Sequence, residues 1–243
     1  MIFVRSLVYF VAMVLSVVVF GLTIALFGGF SRGDFSDVVA TRWGRFNLWL
    51  QRVICGLGYQ IQGLEHLPTE GPCIIMSKHQ STWETIGLRG IFRPQQSWVL
   101  KRELLQLPIF GWALRFAKSI PIDRSAGRRA VLDVVKQGSE RLREGRYVII
   151  FPEGTRTDPG QRRKYGMGGG VLAQRSGVPV VPVAHNAGVF WRRRGVKKYP
   201  GTIHVVVGPP ISSVGRKAAD IMEEVENWIE ARQEELPKTI DER

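Results

Sequence analysis

Cysteine is scarce in this chain: only Cys55 and Cys73 among 243 residues. Their separation fits neither a metal-ligand spacing nor a disulfide framework, and apolar neighbours flank both. They are expected as buried free thiols, which suits a reducing compartment without demanding one. Acidic residues are also in short supply, 21 against 34 basic ones, for a formal net charge of +13. That imbalance calls for an anionic partner: nucleic acid, a membrane surface or a phosphorylated substrate. Charge is missing altogether from residues 6–31, which are dominated by Val, Leu, Phe, Ile and Ala. No internal repeat is present, so solenoids and propellers are excluded. The length suits one sizeable α/β domain with an appendage.

The uncharged run exceeds the roughly 20 residues a helix needs to cross a hydrocarbon core. A cleaved signal peptide is the competing reading, with Arg5 as its basic start. The run is longer than the usual apolar stretch of about 7–15 residues, however, and no A-x-A-type cleavage site follows. A retained anchor is therefore expected. Arg32, Arg42, Arg45 and Arg52 follow it against Arg5 alone before it, so the positive-inside rule places the remainder on the cytoplasmic face. Next, Val39, Trp43, Phe46, Leu50, Val53 and Leu57 recur every three or four residues, predicting an amphipathic helix over about 38–58. It either docks on the globular core or lies among lipid headgroups, and its place directly after an anchor favours the headgroups. Residues 1–58 are thus expected to form a membrane anchor, and 59–243 a separate α/β domain.

From about Tyr59 the pattern changes to strands alternating with helices. Apolar runs predict strands at 73–77, 97–100, 119–122, 147–151, 178–184 and 203–207. Continuous runs of this kind suit a sheet covered on both faces. Helices are predicted over 127–143, ending before Gly145, and over about 214–235. The expected fold is α/β: a single, mostly parallel mixed sheet flanked by helices, preceded by the anchor.

The residues that carry chemistry cluster at predicted strand ends. His79 follows the run 73–77, and Glu84 lies five residues on. That spacing lets the carboxylate hold one imidazole nitrogen and leaves the other to act as a general base. Ser81 and Glu84 also have the spacing of a helix capping box, and the two readings stand side by side. Lys101, Arg124 and Arg156 each follow a predicted strand. If the strands run parallel, the three cations and His79 share one rim, where α/β sheets bind ligands. Such a set suits gripping a phosphate monoester while a nearby hydroxyl is deprotonated. Taken singly, each cation is more often a solvated surface charge. Phe151-Pro152-Glu153-Gly154 equally fits a type I turn. The glycine run 166–170 lacks a P-loop ending and reads as a flexible turn before a helix around 171–175. Ser81 lacks a nucleophile elbow, and His185 and His204 lack companion ligands, so no metal site is expected.

Four blocks occur in order: His79 to Glu84, Lys101 to Gly111 followed by Ile122-Asp123-Arg124, Phe151-Pro152-Glu153-Gly154-Thr155-Arg156, and Val178 to Val183. Over about residues 59–210 they resemble the 1-acylglycerol-3-phosphate acyltransferase family and its wider glycerolipid acyltransferase relatives. Glu84 stands where that family more commonly has Asp. The resemblance implies transfer of an acyl chain from a thioester to the sn-2 hydroxyl of lysophosphatidate. It assigns His79 and Glu84 as the catalytic pair and Lys101, Arg124 and Arg156 to the substrate phosphate. Ser81, Glu153, Gly154 and Thr155 would support the site, with Glu153 contacting the glycerol or bracing Arg156. It implies no bound cofactor, acyl-CoA or an acyl carrier protein as co-substrate, anionic membrane lipid as a partner, and no nucleic acid. A sibling enzyme acting on glycerol-3-phosphate or another lysolipid is the nearest alternative. A membrane-bound hydrolase and a non-catalytic binding protein stand further off.

Overall fold

The computed structural model describes residues 1–30, 34–123 and 125–240. Arg124 of the expected cation set and Arg32 of the arginine series lie outside the described residues. The chain runs α1 (Ile2–Phe27), α2 (Phe35–Cys55), β1 (Leu57–Gln62), β2 (Cys73–Ser77), α3 (Trp83–Ile91), β3 (Gln96–Lys101), α4 (Phe110–Phe116) and β4 (Ile120–Ile122). It continues α5 (Arg128–Arg143), β5 (Tyr147–Ile150), α6 (Gly168–Ser176), β6 (Val180–His185), α7 (Ala187–Phe190), β7 (Gly201–Val207) and α8 (Ala218–Glu235).

The strands form one seven-stranded sheet in the order β1-β7-β6-β2-β5-β3-β4. β6, β2, β5, β3 and β4 are mutually parallel, so their carboxyl ends share one rim. β7 runs antiparallel to β6, and β1 runs parallel to β7. The central strands read as unbroken apolar runs because side chains on both faces are covered. Alternate residues separate the two faces. Ile75, Ile149 and Val181 pack with Leu48, Trp83 and Ile86 on the α2/α3 side. Ile74, Met76 and Val148 pack with Val134, Leu172 and Ile221 on the α5/α6/α8 side.

Three local expectations are corrected by tertiary contacts. The predicted helix over 38–58 stops at Cys55, where Gly56 adopts φ +66°, and Leu57 enters strand β1 beside Gly201 of β7. That partner lies too far along the chain for local periodicity to reveal it. The expected stripe of α2 is divided between the two readings: Val39 is buried, whereas Phe46 and Val53 face outward, as does the neighbouring Trp49. Its buried face mixes Val39, Leu48 and Cys55 with Asp37, Thr41, Gly44, Asn47 and Gln51. Gly44 presses on the backbone of Gly90 in α3, where an added Cβ would come within 2.5 Å of the Gly90 nitrogen. Finally, only Gly166 and Met167 of the glycine run precede α6, and Gly168, Gly169 and Gly170 form its first helical turn. Cβ atoms on Gly169 and Gly170 would strike Met76 of β2 and Met222 of α8, so the glycines allow three elements to close together. Both cysteines are buried and free.

Candidate active site

β2 ends in Ser77, and the chain then crosses the rim as Lys78-His79-Gln80-Ser81 before α3 begins. Glu84 lies in the first turn of α3 and is fully buried. His79 Nδ1–H donates to Glu84 Oε1 at 2.8 Å, and the same oxygen accepts the backbone N–H groups of Gln80 at 2.8 Å and Ser81 at 2.7 Å. One carboxylate oxygen therefore does two tasks: it orients the imidazole and satisfies free donors ahead of the helix. Ser81 Oγ instead accepts the Trp83 N–H, so the reciprocal capping box does not form. That hydroxyl is buried. Burial pushes the Glu84 carboxyl up, but the His79 hydrogen bond, the neighbouring imidazoles and the Ser81 N–H together hold it below its usual range. With Glu84 ionised, the proton stays on Nδ1 and the Nε2 lone pair is left to accept another. Phe151 fixes the plane of the ring by stacking on it, with centroids 4.0 Å apart and planes 11° from parallel.

Phe151 to Gly154 turn sharply at the end of β5: Gly154 N–H returns to Phe151 C=O at 3.0 Å, with Gly154 at φ +68°. The turn and the functional block are the same object, since the turn aims Glu153 inward. Glu153 Oε2 accepts the His79 backbone N–H at 2.6 Å, and its Oε1 meets Lys78 Nζ at 2.8 Å and Thr157 Oγ1 at 2.9 Å. Both oxygens are engaged by His79, Lys78 and Thr157, so Glu153 braces the His79 loop. Burial raises its carboxyl against the pull of Lys78, Thr157 and the His79 N–H. Thr157 N–H donates to the His79 carbonyl at 2.8 Å.

His185, at the end of β6, is fully buried. Its Nδ1 accepts the Ala187 N–H at 3.2 Å, so Nε2–H donates to the Lys78 carbonyl at 2.8 Å. Burial lowers its basicity, so it serves as a neutral brace for the His79 loop.

Lys101 and Arg156 of the expected cations lie at the ends of β3 and β5 on this rim. Lys101 ends β3, two strands from β2, which places its backbone roughly 10 Å along the sheet from that of the His79 strand. It is exposed and lies 3.4 Å from Glu103. Arg156 is half-buried, just past the β5 turn; its carbonyl accepts Arg193 Nη1 at 2.6 Å, while its buried Nε has no hydrogen-bond partner. Thr155 is half-buried beside it. Sequence reasoning passed over Lys78, Gln80, Thr157 and His185. Lys78 was the most accessible of these, as a charged residue between an apolar strand and a buried carboxylate pair. The others act through tertiary contacts that leave no local pattern.

Residues 58–186 match the Acyltransferase family, and the chain belongs to that family. Among its relatives is a 1-acyl-sn-glycerol-3-phosphate acyltransferase of Pseudomonas aeruginosa, 50% identical over 201 residues, covering 82% of this chain and 77% of that protein. Human 1-acyl-sn-glycerol-3-phosphate acyltransferase beta is 31% identical over 167 residues, covering 68% of this chain and 60% of the human one. The crystal structure of PlsC, the 1-acyl-sn-glycerophosphate acyltransferase of Thermotoga maritima, shares the fold with a TM-score of 0.78 at 20% identity, over 96% of this chain and 94% of that one.

Proposed function

We propose that this chain transfers an acyl group from an acyl thioester to the sn-2 hydroxyl of lysophosphatidate, giving phosphatidate. The observation that carries the reading is the His79–Glu84 hydrogen bond at 2.8 Å in a chain 50% identical to a relative named for this reaction. His79 Nε2 takes the hydroxyl proton as the oxygen attacks the thioester carbonyl. The C–S bond then breaks, and the departing thiolate receives the proton from the imidazolium. Glu84 supports the imidazolium formed between these steps. Because a thiolate leaves readily, the acyl group passes directly to the acceptor without an acyl-enzyme. Arg156, Lys101 and Arg124 hold the acceptor phosphate by charge-assisted contacts. The donor is acyl-CoA or an acyl carrier protein. No bound cofactor enters the scheme.

The N-terminal helices carry the site to its substrate. α1 is long and apolar enough to cross a membrane, but its contacts favour lying in one leaflet. Near its start, Ser6 Oγ accepts the Lys198 N–H at 2.8 Å, and Tyr9 meets Trp191 edge to face. Further along, Gly21 touches Ile109, and Gly28, just past its end, touches Phe116. A helix about 39 Å long that touches the catalytic domain near both ends cannot stand upright in a bilayer while that domain stays in water. Its exposed Phe3, Leu7, Val11, Leu15 and Val18 and the outward Phe46 and Trp49 of α2 form the lipid-facing surface. Exposed Arg42 and Arg52 suit anionic headgroups, and the arginines after α1 favour the cytoplasmic leaflet.

The test supplies membranes bearing wild type or His79→Ala with lysophosphatidate and acyl-CoA. The variant should form phosphatidate about 10²–10⁴-fold more slowly. Equal rates would remove the general base. Product from another lysolipid but none from lysophosphatidate would overturn the acceptor.

A further inference from the structure

α8 lies wholly beyond the span 58–186 that matches the family, yet two of its side chains reach the residues on either side of His79. Glu230 Oε1 meets Lys78 Nζ at 2.8 Å and accepts the Tyr165 hydroxyl at 2.9 Å. Three residues on, and so on the same helical face, Gln233 Oε1 accepts Gln80 Nε2 at 2.7 Å. Gln233 Nε2 donates in turn to the His185 carbonyl at 2.9 Å.

Each contact continues inward. Lys78 bridges Glu230 to Glu153, whose second oxygen holds the His79 backbone N–H at 2.6 Å. The Gln80 backbone N–H donates to the Glu84 oxygen that holds His79 Nδ1. One chain of polar contacts therefore ends on the His79 backbone and the other on the partner of its imidazole. Lys78 is 1% exposed and Gln80 is 1% exposed, so a lost partner on α8 is not replaced by bulk water.

We propose that Glu230 and Gln233 are positioning residues for His79, so that α8 completes the active site from outside the segment that defines the family. The proposal rests on the reading of His79 as the general base. α8 clamps the two residues flanking His79 and sets the angle at which Nε2 meets the acceptor hydroxyl. The acceptor phosphate lies elsewhere on the rim, so weakening the clamp lowers turnover without weakening acceptor binding.

The experiment compares kcat, KM for the acyl acceptor and Tm for the full chain and four variants. Gln233→Leu should lower kcat roughly five- to tenfold with KM unchanged, the loss of about one buried hydrogen bond's worth of alignment. Gln233→Glu keeps the acceptor for Gln80 Nε2 but loses the donor to the His185 carbonyl, and should recover part of that loss. Ile229→Val loosens the apolar face of α8 without touching either polar chain, and should lower Tm while sparing kcat. Unchanged kcat in Gln233→Leu overturns the proposal, as does an equal kcat loss in Ile229→Val. His79→Ala run alongside separates the two readings. Undiminished turnover there removes the base, and this proposal with it. Loss of turnover there with an unaffected Gln233→Leu overturns the positioning role alone.

Discussion

Two buried ion clusters stand at opposite ends of the same parallel strands, and their charge balance is reversed. At the amino end, Arg146 immediately precedes β5 and Asp37 comes from α2. Arg146 donates to both Asp37 oxygens at 2.7 Å, to Ser97 Oγ, and to the carbonyls of Gln96 and Ala117. Arg89 lies 3.9 Å from the same carboxylate and over the Trp98 ring. Two guanidiniums thus share one carboxylate, and burial lowers the Arg89 guanidinium to about 10 despite the opposing pull of Asp37. At the carboxyl end, one ammonium, Lys78, lies between two carboxylates, Glu153 and Glu230. The first cluster is saturated with hydrogen bonds and fastens α2 to the sheet. The second holds the His79 loop and includes a carboxyl whose ionisation depends on its neighbour. A carboxylate shared by two guanidiniums fastens α2 to the sheet, whereas an ammonium shared by two carboxylates holds the edge of the candidate site.

The sharpest way to break the contrast is Asp37→Ala, which leaves two buried guanidiniums without their counter-charge. It should cost about 3–5 kcal/mol in stability, measured by thermal or denaturant unfolding in detergent. Lys78→Met comes next, at about 2 kcal/mol, because Glu153 can take up a proton in place of its lost partner. Glu153 already has a raised carboxyl. A raised group stabilises fully below its unfolded value near 4.5, and that contribution is lost as pH rises through the folded value. Unfolding of Lys78→Met should therefore show stability falling more steeply with rising pH than in wild type, and turnover should fall with it.

His185→Gln is expected to have a smaller effect, about 1 kcal/mol from one altered hydrogen bond, but a diagnostic one. Burial depresses His185 below its ordinary 6.5. Its contribution is therefore full above pH 6.5 and is lost as pH falls through the folded value. Wild type should lose Tm between pH 7.5 and pH 5, and the variant should lose less, as read by scanning calorimetry. Glu84, also depressed, acts in the same direction but only below its ordinary 4.5, so the two separate by pH. The smallest effect belongs to Arg162→Ala. Its partner is Glu226 at 2.9 Å, but the arginine side chain is 60% exposed. Unfolding should register under about 0.5 kcal/mol, the value of a solvated pair.

The parts of the site legible in sequence share a physical basis. His79, Glu84 and the segment from Phe151 to Arg156 belong to short stretches whose chemistry and local turn are written in adjacent residues. Pro152 and Gly154 shape the turn, and Glu84 closes on backbone donors only three and four residues away. Lys78, Thr157, Gln233 and Glu230 became visible only when β2, β5 and α8 came together. Their partners lie as far as 153 residues away, as for Gln80 and Gln233. α2 teaches the same lesson in reverse. Its apolar periodicity was genuine, but polar and small residues share the buried face with Val39 and Leu48, because Gly44 allows backbone contact with α3 and Asp37 has Arg146 to meet.

By itself the sequence determined the apolar core strands, the apolar N-terminal helix and the pairing of His79 with Glu84, since burial period, hydrocarbon length and turn chemistry are local properties. Tertiary structure decided which face of α2 turns inward, that one oxygen of Glu84 both orients His79 and satisfies two backbone donors ahead of α3, and that α8 reaches the His79 loop. Those outcomes depend on groups far apart in the chain finding one another in a buried space, where an unpaired charge or donor is costly enough to select a single arrangement.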